Sequence, residues 1–331
     1  MTTVTALALA ALLPLSAQAA PSIWAQAKDP ALARSQALLR EAESLELSYH
    51  QLTRLRSADR GPNGSAALFR VRERELLEQG GAARSPDPAL RLRLAEVYHA
   101  LHQDREAAAL FEGLLRADLA PVIQADIYGD LAISYARLGR REEEIKAYTK
   151  ALALEPFALA RANLLANRAE AYMSIGDIVS AVEGYRASLS LLATPFEMLV
   201  RGTTTLWGLG VALDRAGDLD AGLEAIRVAR LYDENDVNLN GPDWFYAPPH
   251  DEHWYKALGH WSRARRATMG APRAEGYGRA VAAWQEYIES APPGDRWVDQ
   301  ARARLRQCEK ERDRAAPVPS PPAPAAPRKP R

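Results

Sequence analysis

One recurring marker constrains this chain more than anything else in it. Tyr98, Tyr135, Tyr172 and Leu213 follow one another at intervals of 37, 37 and 41 residues, the register of a helix-turn-helix solenoid. Around the second marker, Ala125 to Pro156 reads as two short helices. Tyr128, Leu131, Ala132 and Tyr135 fall at i, i+3, i+4 and i+7, an apolar stripe on a first helix. Gly139 follows, where a helix end needs a residue that tolerates positive φ. Ile145, Tyr148, Ala151 and Leu152 mark a second amphipathic helix, and Pro156 closes it. Such a hairpin cannot bury its stripe alone and needs similar hairpins stacked on it.

The neighbours are present. Leu94, Ala95, Tyr98, Ala107, Phe111 and Leu114 form a preceding unit; Ala169, Tyr172, Gly176, Ala181 and Tyr185 a following one; Leu209, Gly210, Leu213, Gly217, Gly222, Ile226 and Ala229 a fourth. Composition agrees: Ala, Leu, Arg and Glu dominate, and stretches alternating apolar with polar residues are scarce. The expected class is all-α. Forty-two basic and 42 acidic side chains cancel, so overall charge gives no reason to expect nucleic acid or an anionic membrane as partner. The single cysteine, Cys308, excludes an internal disulfide framework and a Cys-rich zinc site.

These residues resemble the tetratricopeptide repeat family. Tyr128, Leu131-Ala132, Tyr135, Gly139, Tyr148, Ala151 and Pro156 match its pattern in order and spacing, with Glu144 where a small residue is usual. The third unit has Arg168 and Ser188 at family Leu and Ala positions, Leu213 stands for Tyr in the fourth, and His102 for the turn Gly in the first. The resemblance covers residues 88–236 well and 250–310 loosely. It implies a right-handed α-solenoid that binds proteins through its concave wall.

Outside the repeats, residues 1–19 read as a signal peptide. Ala6 to Leu15 is apolar and Ala17-Gln18-Ala19 matches a small-x-small cleavage site, although no Lys or Arg precedes the apolar core; an apolar helix of the folded domain is the alternative. No later stretch approaches the ~20 apolar residues of a membrane span. The expected location is periplasmic or secreted. Residues 20–87 read as an N-terminal helical cap, with helices at 30–57 and 66–79 around a turn cluster at 59–65. Residues 88–236 hold the four repeats. Residues 237–313 hold an aromatic loop, a divergent repeat with helices starting near His250 and Arg279, a lengthened turn MGAPRAEGYG, and a capping helix over 295–312. From residue 314 a Pro-rich stretch reads as a disordered tail whose tip carries Arg328, Lys329 and Arg331.

Catalytic motifs are missing: there is no phosphate-cradling Gly loop, no H-E-x-x-H and no G-x-S-x-G. The expectation is a non-enzymatic scaffold with no cofactor. His250, His253 and His260 cluster in sequence, but two turns of helix separate the last two, a poor spacing for one ion. Asp236, Asn238, Asn240 and Gly241 open like a calcium loop, with Asp243 a further oxygen ligand, yet Ala247 stands where the bidentate Glu belongs. A calcium-dependent envelope protein holding a glycan or peptide near its tryptophans is the alternative function. Trp244, Phe245, Tyr246, Trp254, Tyr255, Trp261, Trp284, Tyr287 and Trp297 crowd the final third, where core packing is the default.

In the family, the concave wall takes residues at offsets −9, −6, −2 and +1 from the marker, which share one helical face. Here these are Ala89, Leu92, Glu96 and His99; Asp126, Gly129, Ile133 and Ala136; Asn163, Ala166, Glu170 and Met173; Thr204, Trp207, Val211 and Asp214. Four carboxylates and no Lys or Arg appear among them. The expected site is an acidic-apolar groove of Leu92, Glu96, His99, Asp126, Ile133, Asn163, Glu170, Met173, Trp207, Val211 and Asp214, taking a peptide or helix of another protein. Ordinary polar groove residues without a ligand are the alternative.

Overall fold

A computed structural model describes residues 30–55, 67–240 and 245–315. The expected signal segment, the turn cluster at 59–65, Asp243, Trp244 and the Pro-rich stretch from residue 316 lie outside the described residues. Every described regular element is helical. In chain order these are α1 (Pro30–Leu55), α2 (Ala67–Gln79), α3 (Pro88–Ala100), α4 (Asp104–Leu114), α5 (Pro121–Arg137), α6 (Arg141–Leu154), α7 (Ala158–Ile175), α8 (Ile178–Ser190), α9 (Thr203–Arg215), α10 (Leu219–Tyr232), α11 (Asp251–Arg266), α12 (Ala271–Ser290) and α13 (Val298–Ala315).

The four markers end the first helix of four hairpins, and each turn is built alike. Gln103, Arg140, Asp177 and Asp218 donate their backbone N–H to the carbonyls of Tyr98, Tyr135, Tyr172 and Leu213, at 2.9, 2.9, 3.0 and 3.0 Å. The residue before each donor is left-handed: His102 at φ 57°, Gly139 at 74°, Gly176 at 86° and Gly217 at 99°. His102 thus takes the backbone shape that glycine supplies in the other three turns, which is why the register survives its substitution.

Packing repeats with the same interval. Phe111, Tyr148, Tyr185 and Ile226, on the second helices, are all buried, as are Ala95, Ala132, Ala169 and Gly210 on the first. At the small-residue position Ala107, Ala181 and Gly222 are buried, and so is the unusual Glu144. Arg141 pairs with Glu144 at 2.8 Å, yet burial pushes the Glu144 carboxyl up to about 7. The longer third interval is absorbed ahead of α9. There a capped turn at Pro195–Glu197 and a π-helical turn at Met198–Gly202 lengthen the approach without moving the hairpin's own geometry.

The two ends differ. α1 and α2 cover the first hairpin through Leu77, Leu90, Leu94 and Val97, and through Arg93, which reaches both Glu73 and Glu46 of the cap. At the other end, α12 begins at Ala271, so most of the expected lengthened turn is helix. Its glycines suggest a turn by composition but do a different job. Gly276 lies where a Cβ would come within 2.9 Å of the Ala264 methyl, so it serves close packing of α12 on α11. Trp254, Trp261, Trp284, Tyr255 and Tyr287 are fully buried there, in one cluster that runs from α7 to α13.

Candidate functional site

The inner wall divides into an open part and a closed part. On α3, Leu92, Glu96 and His99 are half-buried. Arg93 lies 3.3 Å from Glu96, but burial outweighs that attraction and raises the Glu96 carboxyl above its usual range. His99 Nδ1 meets Ser134 Oγ at 3.1 Å. Burial, with the Arg137 charge beside it, pulls His99 down to about 4, so the ring is neutral at pH 7.

On α5, Asp126 is exposed and Ile133 half-buried. Burial of its surroundings and the neighbouring Glu155 raise Asp126. Asp130, one turn further along, is not among the residues expected from the family offsets, although its spacing of four from Asp126 places it beside that residue on the helix. Burial pushes its carboxyl up to about 7, and Glu96 and Asp126 add to the shift. Arg137 is a second addition. It pairs with Asp104 at 3.3 Å and donates to the His99 carbonyl. On α7, Asn163 is half-buried. Up to this point the expected residues share one accessible face.

Beyond Asn163 the face closes. Glu170 accepts hydrogen bonds from the Tyr185 hydroxyl at 2.5 Å and from the Tyr255 hydroxyl, on α11, at 3.1 Å. Met173, Trp207, Val211 and Asp214 were expected to line the groove and instead are core residues, 0 to 3% exposed. The reason is that α11 and α13 occupy the space in front of them. Trp207 stacks against Tyr255, centroids 6.3 Å apart, with the Arg230 guanidinium 4.9 Å from its ring. Gly259 permits the approach: a Cβ there would lie 2.8 Å from the Trp207 ring. Asp214 accepts from Trp254 Nε1 at 3.0 Å and from Arg304 Nε at 2.6 Å. Gln300 and Arg296 cap the carbonyls of Asp214 and Ile175, in the last turns of α9 and α7.

The loop before α11 extends this closure. Tyr246 packs edge-on to Tyr255 at 5.2 Å, and the Phe245 ring lies 5.1 Å from the Arg137 guanidinium. Residues next to one another in the loop therefore touch α11 and α5. No periodicity signals this, because the loop lies outside the repeat register.

The calcium reading is corrected by the same region. Asp236 is buried, with Arg230 at 2.9 Å and Arg263 at 2.8 Å on its carboxylate. Two guanidiniums take the oxygens a hard cation would need. Asn238 donates its amide to the Leu199 carbonyl and Thr203 hydroxyl, and Asn240 to the Asp236 carbonyl. The clustered histidines also part company: His250 faces Asp295 at 3.1 Å and His253 faces Glu286 at 3.0 Å.

The tetratricopeptide repeat family model matches residues 125–157, the hairpin α5–α6. No curated protein sequence matches the chain. Among solved structures, the crystal structure of MamA is similar at 17% identity, covering 51% of this chain and 92% of that one, with a TM-score of 0.43. The APC/C hetero-tetramer Cut9–Hcn1 is similar at 15% identity, covering 86% of this chain and 50% of that one, with a TM-score of 0.45. BtubC from P. vanneervenii gives 17% identity, 88% and 99% coverage, and a TM-score of 0.40.

Proposed function

We propose a non-enzymatic interaction scaffold of the cell envelope, a reading supported by the tetratricopeptide repeat match at residues 125–157 and by the hairpins stacked on either side of it. It binds an extended or helical segment of another protein along the open inner face of α3, α5 and the start of α7. The observation that carries this reading is the accessible row of Glu96, Asp126, Asp130 and Asn163 beside half-buried Leu92 and Ile133. Apolar contact there supplies affinity, and the carboxylates select for a segment bearing Lys or Arg.

Export is supported by residues 1–19 alone, with their apolar core and Ala17-Gln18-Ala19. No helix among the described residues is long and apolar enough to cross a membrane. N-terminal sequencing of protein recovered from the envelope fraction tests this part: a chain still beginning at Met1 would rule out cleavage after Ala19.

The binding part is tested by affinity capture from an envelope extract with the tagged chain. Asp126→Lys, at an exposed position, should lower recovery of a specific partner by about tenfold while the helical spectrum stays unchanged. Undiminished recovery would remove the inner face from the function.

A further inference from the structure

Two carboxyl groups on the open face, Asp126 and Asp130, have no ion-pair partner among the described residues, although the Arg137 charge acts on Asp130. No described residue donates a hydrogen bond to Asp126 or Asp130. The neighbouring cations are engaged elsewhere: Arg93 is shared among Glu46, Glu73 and Glu96, and Arg137 is held by Asp104. Glu155, close to Asp126, is itself a buried carboxylate. The face therefore presents carboxyl groups that the surrounding described residues do not pair.

One stretch of the same chain has the opposite character. Residues 316–331 contain seven prolines, Arg328, Lys329 and Arg331, and no Asp or Glu. We infer that this basic Pro-rich segment docks on the Glu96–Asp126–Asp130 face of α3 and α5, where it competes with the partner for the same surface. The inference rests on the open face being the binding site.

Length permits it. α13 ends at Ala315, next to α11, since Glu311 accepts from Trp261 Nε1 and pairs with Arg265. From there to Arg328 a Pro-rich chain spans about 40 Å at ~3.1 Å per residue. Three steps of the array separate α11 from α5, about 30 Å at the usual 8–10 Å between packed helices. Proline stiffness also keeps the ordering entropy of such a segment small.

The test compares the full chain with a chain ending at Ala315, each titrated with a labelled synthetic peptide of residues 316–331 and read by fluorescence anisotropy. The shortened chain should bind the peptide at least about tenfold more tightly than the full chain, whose tethered segment competes at high effective concentration. Binding should weaken as salt rises, and by about fivefold in Asp126→Asn and in Asp130→Asn. Absence of binding to the shortened chain, equal affinity for both chains, or indifference to both substitutions would overturn the inference. Partner capture by the shortened chain separates this from the scaffold reading. If capture persists and Asp126→Lys abolishes it while the peptide fails to bind, only the tail inference falls. If Asp126→Lys leaves capture intact, the scaffold reading falls as well.

Discussion

The Arg215 guanidinium and the Asp251 carboxylate meet at 2.6 Å with side chains only 1% and 2% exposed, joining the last turn of α9 to the first turn of α11. Arg215 also lies over the Trp254 and Trp297 rings, at 4.8 and 5.1 Å. Burial opposes its charge, but Asp251, with Tyr287 and Tyr255, more than offsets it, so the guanidinium holds its proton more firmly than usual. Removing one partner strands a buried charge. Asp251→Ala should therefore lower unfolding stability by about 3–5 kcal/mol, and Arg215→Met combined with Asp251→Ala should recover a large part of it. Urea denaturation of the single and double variants checks this.

Trp207 behaves as core. Trp207→Ala should lower stability by about 3–5 kcal/mol, as for other large buried side chains, and should weaken partner capture only in proportion to the fraction unfolded. Capture measured well below the melting temperature distinguishes this from a contact residue, whose loss would reduce binding with the fold intact.

The Asp130 carboxyl sits at about 7 in the folded chain, against about 4 when unfolded. Between those values the folded state keeps a proton that the unfolded state has released, so this group's contribution to stability falls as pH rises from about 4 to about 7. Glu96, Asp126 and Arg137 are the charges acting on it. Asp130→Asn should melt above the parent chain by a margin that grows from pH 5 to pH 8, reaching an amount corresponding to roughly 1–2 kcal/mol after solvent screening. Glu144, also near 7, lowers both proteins alike, so the difference isolates Asp130. Melting curves at the two pH values provide the check.

Two glycines should respond in opposite directions. Gly139 has φ 74° and open space where a Cβ would stand, so Gly139→Ala costs about 1 kcal/mol through backbone strain alone. Gly113, inside α4 with equally open space, should gain about 0.5–1 kcal/mol as Ala. Thermal melts of both variants decide it.

Calcium should leave the melting temperature unchanged, because Arg230 and Arg263 hold Asp236. Asp236→Ala should cost about 2–4 kcal/mol, leaving two guanidiniums facing a buried site. A calcium-dependent rise in melting temperature would restore the loop as a cation site.

How much of this is legible in the sequence follows from where each residue stands relative to the repeat. Tyr98, Tyr135, Tyr172 and Leu213 announce four hairpins, and the register alone puts His102 in a turn, where its backbone is indeed left-handed. The open face is legible at Leu92, Glu96, Asp126, Ile133 and Asn163 through the wall offsets that the family resemblance implies, which helical spacing keeps on one side. Asp130 is within reach of the same spacing argument, one position from Gly129. Trp207 and Asp214 obey that spacing equally well, but what covers them is Trp254, Tyr255 and Arg304, which are 40 to 90 residues away from Asp214 in the chain and belong to no repeating pattern. Periodicity reports which way a helix face points and is silent about what stands in front of it.

The closure at Glu170 has a consequence for recognition. With Tyr255 and α13 filling the wall beyond it, the open part of the inner face stops at the third hairpin. A bound segment is then measured as well as matched, since residues past the stopping point must turn away into solvent. On the proposed binding reading, such a stop limits the length of segment that the open face accommodates.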